Sequence, residues 1–485
     1  MPELDRRHKM AILVICCMGL FIVGLDNTIV NLALPSIGHE LRASVSSLQW
    51  VIDAYTVVLA SLLMLAGSTG DRIGRKRVFQ TGLILFALGS LLCSIAPGIG
   101  LLIVFRMMQA VGGSMLNPVA MSIISNTFTE RRERAKAIGV WGSVVGLSWA
   151  LGPLLGGVLV DSIGWRSVFW INVPIGVAAV LLVARFVPES RAAKPRPLDP
   201  IGQLLVIALL ATLTYAIIEA PGLGVTSPWI IGCVVVAVAS AVAFVRYEQH
   251  TATPLLDMRF FASAPFSGAT LIAVGSFAVM AGFLFLNALY LQEVRGLSPL
   301  HAGLLTLPMA FMTAVLAPVS GRIVGTHGPR IPLAVGGLAI AAGSFMLSLI
   351  SAQSSVPEVV AAYTVFGIGF GFINAPITNA AVSGMPDSRA GVAAAVASTS
   401  RQVGATLGVA VLGSVVTARI VGPVSTGFVS AAHLGWLIMT GTGVALFVIG
   451  LVTTGRWALR TAQVFDEEMS RDVPAAPGAV AVRTR

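Results

Sequence analysis

Charged side chains are scarce in this sequence. Only 11% of its 485 residues are charged, while 56% are hydrophobic. Because an average soluble domain is about 25% charged, this composition excludes a water-soluble globular protein. One membrane-crossing helix with its loop needs roughly 35 residues, so the chain has room for about 14 such helices and almost nothing else.

Cysteine pairs, metal-ligand spacings and nucleotide-binding motifs are also lacking. The four cysteines, Cys16, Cys17, Cys93 and Cys233, lie inside apolar runs without a CxxC spacing, so we expect neither a disulfide framework nor a metal site. The sequence has no GxxxxGK[ST] phosphate cradle and no segment long enough for an ATP-binding domain. We therefore expect no catalytic residues and no cofactor, and an ion gradient is the energy source that remains. Protons fit carboxylate chemistry best, and sodium stays possible.

Long apolar runs dominate what is present. Because an open sheet is not viable in lipid, each run predicts a membrane-spanning helix. Fourteen runs occur, near residues 10 to 34, 48 to 67, 78 to 97, 100 to 124, 137 to 160, 167 to 187, 201 to 220, 228 to 247, 266 to 291, 302 to 324, 331 to 351, 357 to 383, 391 to 418 and 432 to 455.

Basic residues alternate between the predicted loops. If the N-terminus is cytoplasmic, 25 of the 31 Lys and Arg residues fall on the cytoplasmic side and four on the other. This is the bias that orients membrane proteins. We therefore expect a multi-pass protein of the cytoplasmic membrane, with the lipid bilayer as its partner and both termini inside. The net charge of +10 then reports topology, not nucleic-acid binding.

An internal repeat explains the number of runs. GSTGDRIGRKR (67 to 77) follows the second run, and GRIVGTHGPRI (321 to 331) follows the tenth. The offset is eight runs, which two six-helix halves separated by two inserted helices would produce. We expect an all-α polytopic protein with an N-terminal bundle (1–187), a linker with two inserted helices (188–261), a C-terminal bundle (262–456) and a disordered cytoplasmic tail (457–485).

Five segments in order carry a family resemblance. They are GLDNTIVNLALP (24 to 35), GSTGDRIGRKR (67 to 77), LLIVFRMMQAVGGS (101 to 114), GLSWALGPLLGG (146 to 157) and GWRSVFWINVPIG (164 to 176). Together they resemble the major facilitator superfamily, and within it the 14-span drug:proton antiporter family. Ala110 departs from that pattern where glycine is usual, and Gly325 replaces the aspartate in the second loop copy.

The resemblance implies roles for two of these segments. The loop after the second span would be a gate, in which Asp71 meets the start of the thirteenth span near residues 388 to 391, where a helix N-terminus favours negative charge. Its residues are Gly67, Asp71, Arg72, Gly74, Arg75 and Lys76. The antiporter motif Gly152, Pro153, Gly156 and Gly157 would seal one side of the pathway and bias the protein towards export. Two alternatives remain open. The basic residues of the loop could serve only to set the membrane topology, and the glycines of the motif could serve only tight helix packing.

Ionisable residues inside the spans are few, and each is costly enough to be a functional candidate. Asp26, Asp53 and Arg106 occupy one depth band by helix rise, with Asp26 about 12 Å below the end of its run. We expect them to form the proton-coupling site, with Asp26 as the proton carrier. A static ion pair is the alternative, and Asp53 could instead attract cationic substrates. Possible polar residues of the pathway are Asn27, Asn31, Gln109, Arg401 and Gln402, and a structural role for Arg401 also stays open.

These observations favour a transporter, not an enzyme. The expected function is proton-coupled export of lipophilic, often cationic drugs or toxic metabolites by alternating access. We expect this export to give the host cell antibiotic resistance. A dedicated exporter of one endogenous antibiotic or metabolite is the alternative within this class. A membrane-bound enzyme or scaffold is the alternative outside it, and no nucleophile triad or cofactor motif supports that alternative. We expect a monomer.

Overall fold

The computed structural model describes residues 5–192, 198–251, 254–382, 385 and 390–471. This part of the chain is almost entirely helical. Its α-helices are α1 (Arg6–Leu41), α2 (Val45–Ile73), α3 (Arg75–Ser94), α4 (Ile99–Thr127), α5 (Arg131–Ser162), α6 (Ser167–Trp170), α7 (Asn172–Phe186), α8 (Pro200–Leu223), α9 (Pro228–His250), α10 (Ala264–Leu289), α11 (Pro299–His327), α12 (Arg330–Ser348), α13 (Val356–Val382), α14 (Ala390–Thr417), α15 (Val424–Thr453) and α16 (Arg456–Arg471). A 3₁₀ turn (Met258–Ala262) precedes α10, and a π-helical turn (Tyr290–Val294) extends it.

Twelve helical segments of the described chain are long and apolar enough to cross a membrane. They are α1 to α4, α6 together with α7, α8, α9, α10 with its π-helical turn, α11 to α13, and α15. The expected count of fourteen is therefore not reached on these criteria. Helices α5 and α14 are not among the twelve, and α5 contributes only a shorter apolar segment, Leu147–Ser162.

The packing of the helices repeats between the two halves of the chain. In the first half α1 packs on α5, α2 on α4, and α3 on α4 and α7. In the second half α10 packs on α14, α11 on α13, and α12 on α13 and α15. Each pair in the second list is the counterpart of a pair in the first, in the same order along the chain. The duplicated loop in the sequence thus reflects two bundles with one packing plan.

The contacts between the bundles follow the same symmetry. Helix α5 of the first bundle packs on α11 of the second, and α14, the counterpart of α5, packs on α2, the counterpart of α11. Both crossings involve glycines, because a side chain would hold the backbones apart. A methyl carbon at Gly157 would lie 2.7 Å from the carbonyl oxygen of Pro299, and one at Gly413 would collide with Gln49.

The inserted helices lie against one edge of this interface. Helix α8 packs on α2 and α14 as well as on α9, so it contacts one helix of each bundle. Trp50 Nε1 donates to Glu219 Oε1 (2.7 Å) near one end of α8, and Gln203 Nε2 donates to the carbonyl oxygen of Ser61 near the other. Helix α9 presents exposed apolar side chains such as Val235 and Val238, both 59% exposed, as expected for a helix that faces lipid.

The tail is not disordered throughout, contrary to expectation. Residues Arg456–Arg471 form helix α16, which buries Ala458, Ala462 and Phe465. The ring of Phe465 packs edge-on against Phe260 of the 3₁₀ turn, with ring centres 6.0 Å apart. These buried positions recur every three or four residues, so one apolar stripe holds the helix against the second bundle. Residues 472–485 lie outside the described chain.

Candidate functional site

The site is centred on an ion pair between α1 and α4. Arg106 Nη1 donates to Asp26 Oδ2 at 2.5 Å, and both side chains are almost completely buried. Arg106 Nε also donates to the carbonyl oxygen of Val51 on α2 (3.1 Å). The guanidinium carbon lies 4.1 Å from the centre of the Tyr55 ring, a cation–π contact. The arginine thereby joins three helices of one bundle.

Three further polar side chains complete the network around Asp26. Gln109 Nε2 donates to Asp26 Oδ1 (2.9 Å) and Asn172 Nδ2 donates to the same oxygen (3.1 Å). Gln109 Oε1 accepts from Arg106 Nη1 (2.7 Å), and Ser90 Oγ accepts from both amides. Gly89 lets α3 and α4 approach closely here, since a methyl carbon there would lie 2.6 Å from Gln109 Cα. Both carboxylate oxygens of Asp26 therefore have donors, as a buried charge requires.

Asp53 is not part of this network, although its depth suggested that it would be. It is buried, and its Oδ2 has no partner among the described residues. Its Oδ1 accepts one long hydrogen bond, from Thr56 Oγ1 at 3.4 Å. Gln49, one turn before it, donates to carbonyl oxygens of α14, and Val57, one turn after it, packs with Leu210 of α8. Asp53 thus lies on the face of α2 that meets α14 and α8.

The predicted gate loop is a compact turn between α2 and α3. Arg75 Nη2 donates to Asp71 Oδ1 (2.8 Å), and Gly74 has φ +131°, a conformation that favours glycine. Backbone bonds tie the turn to the segment after α7: Arg75 N donates to the carbonyl oxygen of Ser190 (2.9 Å), and Ala192 N to that of Asp71 (3.1 Å).

The other gate residues lie around this turn. Lys76 Nζ donates to the carbonyl oxygen of Ala184 (2.8 Å), Arg72 lines a shallow cleft with Arg191, and Gly67 faces Pro118. The partner expected for Asp71 falls partly outside the described chain, because residues 388 and 389 are not described.

The antiporter motif lies where α5 meets two other helices. Gly152 and Gly156 face α1, where added methyl groups would collide with Thr28 and Ile29. Pro153 and Gly157 face α11 of the other bundle: the carbonyl oxygen of Pro153 fills the space beside Gly303. The motif therefore permits close contact both within the first bundle and between the bundles.

Several bonds join the bundles at the side where α1 ends and α2 begins, which we call the α1–α2 side. Gln49 Nε2 donates to the carbonyl oxygens of Val409 and Ala410 (3.1 Å each). Gln292 Nε2 donates to that of Leu32 (2.9 Å), and His39 Nε2 lies 2.8 Å from Glu293 Oε1. Together with the contact between Gly157 and Pro299, these bonds hold the bundles together on this side.

The remaining predicted pathway residues lie in both bundles. Asn31 Nδ2 donates to the carbonyl oxygen of Asn27 (3.1 Å), and Asn27 is half-buried. Arg401 and Gln402 are half-buried on α14. Arg401 Nη2 donates to Thr378 Oγ1 (2.5 Å), so this arginine is not part of the Asp26 network.

Sequence reasoning missed Asn172, Ser90 and Tyr55. Asn172 is the first residue of α7 and lies within the segment GWRSVFWINVPIG, which the family resemblance had marked without a role. An uncharged amide or hydroxyl group in an apolar run is not costly enough to stand out, whereas a charge is. The segment resemblance was the only signal that could have found Asn172.

Comparisons with known proteins agree with this architecture. The sequence profile of the Major Facilitator Superfamily matches residues 16–409. The chain is 35% identical over 412 residues to the multidrug resistance protein Stp of Mycobacterium tuberculosis (strain CDC 1551), covering 85% of this chain and 76% of that protein. It is also 35% identical over 404 residues to the tetracenomycin C resistance and export protein of Streptomyces glaucescens, covering 83% and 75%.

A solved structure supports the fold independently. A bacterial homologue of the human lysosomal transporter Spinster, solved in an inward-facing and unoccupied conformation, superposes with a TM-score of 0.64 at 17% identity. The match covers 98% of this chain and 100% of that one. With the profile match and the curated relatives, these findings show that the chain belongs to the Major Facilitator Superfamily of membrane transporters.

Proposed function

We propose that this protein is a proton-coupled antiporter that exports lipophilic drugs or toxic metabolites across the cytoplasmic membrane by alternating access. Its similarity to resistance and efflux proteins supports drug export. The observation that carries proton coupling is the buried Asp26–Arg106 pair, because it places a titratable carboxyl group at the junction of α1, α2, α4 and α7.

The coupling step follows from the contacts of Asp26. While ionised, Asp26 holds Arg106, Gln109 and Asn172 through its two oxygens. A proton on the carboxyl group removes the negative charge and one acceptor, so the hold on Arg106 weakens and its bond to Val51 is free to rearrange. Binding and release of a proton would thus alter the packing of α1, α2 and α4 within one bundle. Asp53, on another face of α2, is proposed as a separate site that attracts cationic substrates.

Alternating access would use the two symmetric crossings. With the α1–α2 side closed by α5–α11 and α2–α14, substrate would enter from the opposite side, which the charge bias makes cytoplasmic. Rocking of the bundles would then separate Gly157 from Pro299 and Gln49 from Val409. The small residues of the antiporter motif stabilise the closed form of this side and would so resist leakage.

The gate loop would act on the cytoplasmic side. We propose that, when this side closes, Asp71 approaches the start of α14, where the helix N-terminus favours a negative charge. In the present conformation Asp71 is held by Arg75 instead. Exchange between these two interactions would let the loop stabilise one conformation without a large rearrangement.

We further propose fourteen spans, with α5 and α14 completing the twelve. Each belongs to one bundle and repeats the role of the other, which supports a transmembrane placement for both. The bundles would comprise residues 1–187 and 262–456, joined by residues 188–261, in a monomer with both termini cytoplasmic. Reporter fusions should place residue 190 inside and residue 225 outside; an external C-terminus would contradict the count.

A dedicated exporter is the second candidate. The observation that favours it is the similarity to an export protein named for a single antibiotic, tetracenomycin C. A susceptibility panel in an efflux-deficient bacterial host separates the two candidates. Resistance to many unrelated drugs supports multidrug export, while resistance to a single compound supports the dedicated exporter.

Uptake into inverted membrane vesicles tests transport itself. An imposed pH gradient should drive accumulation of a radiolabelled drug chosen from that panel, and a protonophore should abolish it. Accumulation that ignores the pH gradient and follows sodium would overturn proton coupling. Vesicles that accumulate no compound to which the host became resistant would overturn the assignment as an exporter.

A further inference from the structure

An aromatic cluster bridges the two bundles near the middle of their helices. Trp149 of α5 stacks on Phe370 of α13, with ring centres 5.7 Å apart and an interplanar angle of 14°. Phe277 of α10 meets both rings edge-on, at 5.8 Å from Trp149 and 5.2 Å from Phe370. Phe277 and Phe370 are 8% and 2% exposed, whereas Trp149 is half-buried. The cluster therefore has an accessible edge at the interface that alternating access would open.

Arg401 lies beside this cluster. Its guanidinium carbon is 5.7 Å from the centre of the Phe277 ring. Its Nη2 donates to Thr378 Oγ1, and at 3.5 Å to the carbonyl oxygen of Asn374. Its Nε is buried and has no hydrogen-bond partner in the described chain. Thr378 and Asn374 thus orient one edge of the guanidinium group and leave other donors available.

No carboxylate of the described residues forms an ion pair with Arg401. Asp26 is paired with Arg106, and Asp53, whose only described side-chain partner is Thr56, forms no ion pair among the described residues. Within the described part of the chain, Arg401 is therefore a cation without a paired carboxylate in a membrane-spanning bundle, an arrangement that proteins generally avoid unless the charge has a function. An anionic group brought by a ligand would supply the missing partner.

The position of Arg401 makes it reachable from one side. It precedes Val409, which receives the bond from Gln49, by eight residues or about 12 Å of helix. The contacts that close the α1–α2 side therefore lie between Arg401 and that side of the membrane. Arg401 and the aromatic cluster lie on the side from which substrate would enter. Gly404 and Gly408 hold this stretch of α14 against the backbone of α10 at Val274 and Ala278, which fixes Arg401 over Phe277.

We propose that Arg401 and the rings of Phe277, Phe370 and Trp149 form a binding site for aromatic substrates that carry a negatively charged group. The rings bind the apolar part, and Arg401 binds the anion by charge-assisted hydrogen bonds. This inference rests on the proposed export function and specifies its substrate class. It favours the charge opposite to the cationic one that the sequence suggested, and includes zwitterions whose anionic end reaches Arg401.

A matched pair of probes isolates the contribution of charge. 1-Anilinonaphthalene-8-sulfonate carries a sulfonate that stays ionised at all working pH values, and N-phenyl-1-naphthylamine has the same rings without it. Binding is measured by equilibrium dialysis against purified protein in lipid nanodiscs, with protein-free nanodiscs correcting for lipid partitioning. The wild-type protein should bind the sulfonate about 10- to 100-fold more tightly than the neutral probe, the range expected for hydrogen bonds to a charged group.

Four variants assign that preference to residues. Arg401→Gln should remove the preference while leaving affinity for the neutral probe unchanged, and Arg401→Lys should retain part of it. Phe277→Leu should weaken both probes alike, because both use the rings. Arg322→Gln, a change of an exposed arginine on α11, should alter neither. Size-exclusion chromatography identifies any misfolded variant. If Arg401→Gln is misfolded, the test is the reduced preference for the sulfonate in Arg401→Lys.

Three results would overturn the proposal: no saturable binding of either probe, equal affinity of the wild-type protein for both, or an unchanged preference in Arg401→Gln. These results are distinguishable from a failure of the export function, which is measured separately as pH-driven uptake of a drug from the susceptibility panel. If that uptake persists while any of the three is found, export stands and the anion site does not.

Discussion

The substitution Asp26→Asn removes one negative charge from the network with almost no change in size. In the structure the two carboxylate oxygens of Asp26 accept from Arg106, Gln109 and Asn172 at 2.5, 2.9 and 3.1 Å. An asparagine offers one acceptor oxygen and one amino group, so at least one of these donors loses its acceptor. Arg106 also loses its counter-charge while remaining buried. Breaking a buried ion pair in this way costs about 3–5 kcal/mol.

The substitution should abolish proton coupling as well as lower the stability of the protein. One proton crossing a potential of ~150 mV supplies ~3.5 kcal/mol, enough for a substrate gradient of a few hundredfold. Without an exchangeable proton at residue 26, Asp26→Asn should show no uphill transport. It should still bind substrate and exchange labelled for unlabelled substrate across the membrane, because the aromatic cluster and Arg401 are elsewhere.

The assay uses purified protein in proteoliposomes with an imposed pH gradient, a radiolabelled drug from the susceptibility panel and an internal pH dye. Asp5→Asn, at the exposed start of α1, is the matched control and should behave as the wild-type protein. If Asp26→Asn still moves protons together with substrate, Asp26 is not the proton carrier and the reasoning fails.

Three further substitutions test other parts of the account. Asp53→Asn should leave the number of protons moved per substrate unchanged, because Asp53 bonds neither to Asp26 nor to Arg106; loss of proton movement in the same dye assay would return Asp53 to the coupling site. Asp71→Asn should reduce transport at least severalfold with normal protein level and membrane insertion, measured by immunoblot and vesicle uptake, since it removes the acid of the gate loop; wild-type export would reduce that loop to a topology signal. Gly157→Val should separate α5 from α11, because its Cβ would lie 2.7 Å from the Pro299 oxygen, and overpacking of this kind costs about 1–3 kcal/mol. Cysteine cross-linking across the α1–α2 side should therefore drop in Gly157→Val but not in Gly321→Val, where the added side chain meets open space; equal cross-linking in both would show that this crossing is not the seal.

The architecture could be predicted from sequence largely because a membrane-spanning helix requires a long apolar run, which is visible in the sequence. Apolar runs located the helices, and the duplicated loop around Gly67 and Gly321 predicted two halves of one plan, which the helix contacts show. The fourteen spans expected with this repeat are not reached, because twelve segments of the described chain are long and apolar enough to cross a membrane. Helix α16 in the tail was not predicted, because its apolar positions, including Phe465, recur within an otherwise polar segment. A 3.6-residue period was present there, but the segment's composition suggested disorder.

The candidate site was predicted in part, for a physical reason. Asp26 and Arg106 stood out because a charge within a span is rare, and the structure does bring them together. Asp53 was grouped with them by depth alone, but depth does not specify the face of a helix. Two residues along a helix turn the direction by about 200°, so Val51 presents its carbonyl group to Arg106 while Asp53 lies on the side towards α14. Only the packing of three helices determines which faces meet.

Reversal of the driving force in reconstituted vesicles tests the central claim most directly. Proteoliposomes containing the wild-type protein are given equal drug concentrations inside and outside, then a pH gradient of either sign. The account predicts that drug accumulates in the more acidic compartment, that protons move in the opposite direction in fixed ratio to drug, and that both flows reverse with the gradient. Drug movement that keeps its direction when the pH gradient is reversed, or that proceeds without proton movement, would contradict it.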